Sequence, residues 1–160
     1  MGELFDVAEL VRIAVEDEKS GVAFYSALAE RTQQQELKKV FADLAEQERY
    51  HQQRFEKMLG SLGEHKAPER YSGEHASYLR ALTTDRAFPD EAAAERMAGE
   101  CADDLAALAL ARRFERDTLI LMQEMRALVA EKNRAIVDEL ADEERAHLVT
   151  LAEAAEKLGR

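Results

Sequence analysis

The chain has 160 residues, 46% hydrophobic and 34% charged, with a formal net charge of −11. That length suits one domain with a sizeable core, and the composition is that of a folded chain rather than a disordered one. The acidic balance argues against nucleic acid and anionic membranes as partners, since both require a basic face.

Ala, Leu, Glu, Arg and Lys dominate, and long Val/Ile/Thr alternation is absent, so the expected class is all-α. Cys101 is the only cysteine, which leaves no intrachain disulfide and no Cys-x-x-Cys motif. Met1 to Asp6 lacks a basic leader, and no segment approaches the apolar length of a membrane span. The expectation is a soluble, cytoplasmic protein.

The first helix is expected from about Phe5 to Arg31. Its apolar seam reads Leu4, Ala8, Val11, Val15, Glu18, Val22, Tyr25, Ala29, with Glu18 as the single charge. Thr32-Gln33-Gln34 is a short turn. The second helix is expected from Gln35 to Leu59, with seam Leu37, Phe41, Leu44, Glu48, His51, Phe55, Met58 and Gly60 as its terminator. Residues 60–73 read as a loop rich in Gly, Pro and Ser. Short helices are expected at Glu74 to Leu82 and from Pro89 to about Ala98. Asp103-Asp104 supplies a fresh cap, with one continuous helix from Asp90 to Ala130 as the alternative.

The third long helix runs from about Asp104 to Ala130, with seam Leu108, Ala111, Glu115, Thr118, Met122, Met125, Val129. After a link at Glu131-Lys132-Asn133, the fourth reaches Leu158 with seam Val137, Leu140, Glu144, His147, Leu151, Ala154, Leu158. The chain is thus a duplicated helical hairpin. Glu18 and Glu48 stand 30 residues apart, Glu115 and Glu144 29 apart. Each hairpin turns near the midpoint, so each pair lies at equal height, roughly 22 Å from the turn. The long connection can cross the length of the bundle.

Glu48-x-x-His51 and Glu144-x-x-His147 each place two side chains on one helix face. The motif alone is weak in a chain with 23 Glu. One seam Glu ordinarily reaches out to solvent or carries a proton, and one buried His is ordinarily just hydrogen-bonded. Six such residues at matched depth are another matter. Four buried carboxylates cost several kcal/mol each without partners, and no Lys or Arg shares their seams. Two divalent cations would balance four carboxylates, and two imidazoles complete the ligand set. The expected metal ligands are therefore Glu18, Glu48, His51, Glu115, Glu144 and His147. Oxygen and imidazole donors without thiolate suit iron or manganese, with zinc or cobalt as a substitute. Tyr25, two turns beyond Glu18, is a candidate hydrogen-bond donor to a bridging carboxylate or a one-electron donor. Glu16, Glu46 and Glu143 lie off the seams and are expected to face solvent or form surface pairs. Asp104 reads as a cap, and Met122 and Met125 as core.

The stretches Glu18-Lys19-Ser20-Gly21-Val22-Ala23-Phe24-Tyr25, Glu48-x-x-His51, Ala111-x-x-x-Glu115-x-Asp117 and Glu143-Glu144-x-x-His147 resemble the ferritin-like diiron carboxylate proteins, specifically the rubrerythrin-like branch. The resemblance covers the four long helices and omits residues 60–103. It implies one ferritin-like four-helix bundle over residues 1–160, with hairpins 5–59 and 104–158 and crossover 60–103. It implies Glu48 and Glu144 as bridging carboxylates, Glu18 and Glu115 as terminal ligands, and one His per iron. It also implies reduction of hydrogen peroxide or O2 in defence against oxidative stress. Three departures stand out. The paired cysteines of a rubredoxin domain are absent, so a separate protein would donate electrons. The extra third-helix Glu and the second-half Tyr of many relatives are replaced, with Arg112 and Thr118 flanking Glu115 and Met122 beyond it. The alternatives are a ferroxidase acting on Fe2+ and a metal-stabilised helical interaction module. A homodimer would cover the crossover.

Overall fold

The computed structural model describes residues 7–62 and 73–159. Among them are six helices and no strand: α1 (Val7–Arg31), α2 (Gln35–Ser61), α3 (Gly73–Thr84), α4 (Glu91–Glu100), α5 (Asp104–Leu128) and α6 (Glu131–Leu158). No helix among the described residues is long and apolar enough to cross a membrane. The expected start at Phe5, the seam position Leu4 and the loop residues Gly63, Pro68 and Ser72 lie outside the described residues.

The seams dictate the packing. Every seam member of α2 from Leu37 to Met58, and of α5 with Val129, is buried. α1 packs on α2, α4 and α5, while α6 packs on α5 and α2. The four long helices thus close an all-α bundle from two antiparallel hairpins. α3 and α4 carry the chain back along it. Arg31, at the end of α1, donates hydrogen bonds to the Ala98 and Cys101 carbonyls, and Thr32 Oγ1 donates to Asp104 Oδ2 at 3.0 Å. These contacts place the start of α5 beside the α1–α2 turn, so the crossover spans the bundle end to end.

Local chemistry sets the helix boundaries. Asp90 caps α4 by accepting from the Ala93 N–H at 2.7 Å, and Asp103 caps α5 by accepting from the Ala106 N–H at 2.8 Å. The continuous helix from Asp90 is therefore excluded, and the capping residue is Asp103, with Asp104 in the first turn. Several boundaries differ from the sequence reading: α4 runs from Glu91 to Glu100 and not from Pro89 to Ala98, and α5 ends at Leu128 and not at Ala130. Gly60 does not end α2, which continues to Ser61 while the buried Leu62 packs into the core. α3 extends past Leu82 to Thr84, where the Thr83 and Thr84 hydroxyls donate to carbonyls of the preceding turn. Residues 131–133 are the first turn of α6, not the link. The link is Val129-Ala130, in extended conformation, because burying Val129 draws the chain inward there.

The core is not one continuous mass. One apolar cluster holds Leu10, Val11, Phe55, Met58, Met122, Met125 and Leu140; the other holds Phe24, Leu28, Phe41, Leu108, Phe114 and Leu151. Between them on each long helix sit the polar seam residues: Glu18, Glu48 with His51, Glu115, and Glu144 with His147. A charged layer therefore divides the bundle across its middle.

Candidate metal centre

Each polar seam residue is carried by the middle of a long helix, where packing on both sides fixes its direction. Glu18, Glu48, His51, Glu115 and Glu144 are fully buried and His147 is 2% exposed. They form two overlapping groups. Glu18, Glu48, His51 and Glu144 make one; Glu48, Glu115, Glu144 and His147 make the other. Within each group four potential ligand atoms lie within 4.8 Å of one another. Glu48 and Glu144 belong to both.

The imidazoles are oriented alike. His51 Nδ1 faces inward, 2.7 Å from Glu144 Oε1 and 3.7 Å from Glu18 Oε2. His147 Nδ1 lies 2.9 Å from Glu144 Oε2, 3.1 Å from Glu48 Oε1 and 3.4 Å from Glu115 Oε2. The rings stack with centroids 5.3 Å apart. Both Nε2 atoms point outward: His51 Nε2 donates to Glu143 Oε2 at 2.7 Å, and His147 Nε2 donates to Gln47 Oε1 at 3.0 Å. Each partner comes from the helix that carries the other histidine. The Tyr25 hydroxyl donates to Glu115 Oε1.

The inward atoms have no well-directed hydrogen bond. Both oxygens of Glu18, Glu48 and Glu144, Glu115 Oε2 and the Nδ1 atoms of both histidines are buried without one. Buried polar atoms are rarely left so, and here they all converge on one space. The electrostatics reflect that crowding. Burial and the Glu48 charge push the Glu18 carboxyl well above the usual range. Burial and the Glu144 charge push Glu115 up to about 8. Burial and the Glu48 charge also push Glu144 up, but contacts with Glu115, His147 and His51 together outweigh them and hold it below its ordinary value. Burial would lower His51, yet the close approach of Glu144, the hydrogen bond to Glu143 and the Glu144 and Glu48 charges raise it to about 9. His147 is raised for the same reason, against burial, by Glu115, Glu144 and Glu48. The donor set fits two divalent cations, with two shared carboxylates and one private carboxylate and imidazole apiece.

Two further features shape the site. A Cβ at Gly21 would lie 2.9 Å from Phe114 Cζ and 3.1 Å from Glu48 Oε2, so the bare backbone of α1 makes the room that Glu48 occupies. Tyr25 packs among Phe24, Phe41 and Phe114, with ring centroids 5.3, 6.2 and 6.3 Å away. Burial and the charges of Glu115 and Glu48 raise its hydroxyl well above the usual tyrosine value, so it stays a proton donor.

All six expected ligands come together, and Tyr25 reaches Glu115, which belongs to one group only, and not a carboxylate shared by both. Glu16 and Glu46 form exposed pairs with Lys19 and Arg49, as read from the sequence. Glu143 does not. It is half-exposed, but its carboxylate turns inward to His51. Gln47, neutral and exposed on α2, carries no signal of a role in the site on its own helix. Both sit one residue before a shared glutamate, a repeat visible only once the two hairpins are aligned.

The rubrerythrin family model matches residues 9–155. Among solved structures, a Thermotoga maritima protein described as ferritin-like and diiron-carboxylate shares 26% identity, with TM-score 0.70 and 95% of each chain covered. A hypothetical protein from Pyrococcus furiosus has the same fold at 22% identity and TM-score 0.71, covering 95% of this chain and 89% of its own. A search of curated proteins finds no significant match. With nearly its whole length matched and its buried carboxylates and histidines in two overlapping sets, the chain belongs to the rubrerythrin family.

Proposed function

We propose that this protein binds two iron ions and reduces hydrogen peroxide or O2, with electrons from a separate protein, as part of defence against oxidative stress. The observation that carries this reading is the pair of overlapping ligand groups sharing Glu48 and Glu144. Two iron ions held there would supply the two electrons that cleavage of an O–O bond needs. Manganese fits the same donors, and zinc would occupy them without redox chemistry.

The chain's residues would divide the work. Glu18 with His51 would hold one ion and Glu115 with His147 the other. Glu48 and Glu144 would span both, and the bare backbone at Gly21 makes the room in which Glu48 sits. Tyr25 holds Glu115 and keeps a proton close to the site. The aromatic rings around it exclude water from that side. These 160 residues contain one cysteine, so no cysteine-ligated electron carrier lies within them. The six ligands belong to one chain, so the proposal holds equally for a monomer or a homodimer.

Ferroxidation is the second reading. A cleft is lined by Asp17, Asp85, Arg86 and Asp117; Arg86 pairs with Asp17 at 2.6 Å, which leaves Asp85 and Asp117 as the carboxylates that would favour the approach of Fe2+. One experiment separates the two. The diferrous protein is mixed with one equivalent of peroxide, then with excess Fe2+, and absorbance is followed by stopped flow. Rapid oxidation by peroxide, with little repeated turnover of Fe2+, supports peroxide reduction. Growth of a ferric mineral would overturn it in favour of iron handling. A chain that takes up no metal and is equally stable without it would be an interaction module.

A further inference from the structure

The two halves of the site are built on one plan, yet their surroundings differ in charge. His51 donates from Nε2 to a carboxylate, Glu143, at 2.7 Å; His147 donates to the neutral amide of Gln47 at 3.0 Å. The two acceptors occupy equivalent places, each one residue before a shared glutamate and each on the helix opposite its histidine. A charged acceptor is the stronger partner and makes the imidazole a better electron donor to a bound ion. A second difference runs in the same direction. Glu115 accepts a hydrogen bond from Tyr25, which withdraws electron density from that carboxylate. Glu18 has no hydrogen bond on either oxygen.

Resting on the two-metal reading above, we infer that the two positions are electronically unequal, with Glu143 and Tyr25 as the positioning residues that make them so. The position of Glu18 and His51 is the stronger donor set. It binds a divalent ion more tightly and favours the higher oxidation state. The position of Glu115 and His147 is the weaker set and the first to accept an electron. The duplicated bundle supplies near-identical ligands, and their outer partners break the equivalence.

The test uses Co2+ added to metal-free full-length protein, followed by its ligand-field absorption and by calorimetry. His147→Ala retains the Glu18/His51 position; His51→Ala retains the other. The first variant should bind its single Co2+ about 10-fold more tightly than the second. Adding Glu143→Gln to His147→Ala should weaken binding about 10-fold and should leave His51→Ala unaffected. Adding Gln47→Glu to His51→Ala should strengthen it, a gain that a merely structural role for this residue does not give. Gln47 is exposed and Glu143 half-exposed, so these exchanges leave the core intact. In the iron-loaded protein, Glu143→Gln should narrow the gap between the two reduction potentials. Equal affinities in the two single-histidine variants, or Glu143→Gln acting alike in both, would overturn the inference. A wild-type chain that binds fewer than two Co2+ would instead sink the two-metal reading itself.

Discussion

The hydroxyl of Tyr25 on α1 donates its hydrogen to Glu115 Oε1 on α5, 90 residues further along the chain. This bond joins the two hairpins through the site and not merely around it. In Tyr25→Phe the ring contacts with Phe41 and Phe114 persist, while a buried carboxylate oxygen loses its donor. The expected cost is about 1–3 kcal/mol, measured by denaturant unfolding. Two metal ions per chain should remain, because Tyr25 itself is no ligand.

Glu144 and His147 lie one turn apart, but their loss should differ. His147 belongs to one ligand group and Glu144 to both. His147→Ala is expected to lower metal content from two ions to about one per chain, by elemental analysis. Glu144→Ala should weaken both positions and also remove the metal-induced rise in melting temperature. Metal at 1,000 times its dissociation constant stabilises a one-site protein by about 4 kcal/mol. Unchanged content in either variant would refute the site.

Gly21→Ala sets two effects against each other. Alanine in mid-helix is favoured by about 1 kcal/mol over glycine. The added methyl, however, falls 2.9 Å from Phe114 Cζ and 3.1 Å from Glu48 Oε2. Overpacking of this kind costs about 1–3 kcal/mol, and the ring it strikes is itself buried. A net loss of stability is expected, together with weaker metal binding because Glu48 is displaced. A variant more stable than wild type, with full metal content, would show that the space beside Gly21 is not needed.

Metal-free protein should be less stable in base than near neutrality. Glu115 is raised from 4.5 to about 8 and His51 from 6.5 to about 9. For both, the folded chain holds protons that the unfolded chain has released, so stability falls as pH rises through those intervals. Glu144, lowered, acts oppositely and contributes stability that is lost only on acidification. The expected outcome is a decline between about pH 5 and 9 in urea unfolding, steepest where the Glu115 and His51 intervals overlap. Bound metal replaces those protons, so the decline should vanish in the loaded protein and metal uptake should release acid. A metal-free protein whose stability rises across this window would contradict that reading.

Much of the site was legible because helical periodicity is a local property. Glu18, Glu48, His51, Glu115, Glu144 and His147 interrupt apolar seams, and equal distance from each turn puts them at one height. What decides Glu143 and Gln47 is not local. Each faces outward on its own helix and is used only because α2 and α6 pack at a particular separation and rotation. The Tyr25–Glu115 bond likewise depends on the register between hairpins, which no repeat within either one specifies. Near the ends, tertiary packing overrode residue preference. Leu62 holds α2 past Gly60, and Val129 breaks the chain two residues before the polar stretch that resembled a link.

The charged layer between the two apolar clusters has a consequence for how the helices open. Helices ordinarily loosen from their ends, where hydrogen bonds are exposed and contacts few. Here both ends of each hairpin are anchored in packed hydrocarbon, and the unfavourable crowding of like charges falls at mid-length. Without metal, amide hydrogens around Glu18, Glu48, Glu115 and Glu144 should exchange sooner than their depth suggests. With metal they should become the slowest in the molecule. The cations would thus reverse the order in which the bundle comes apart.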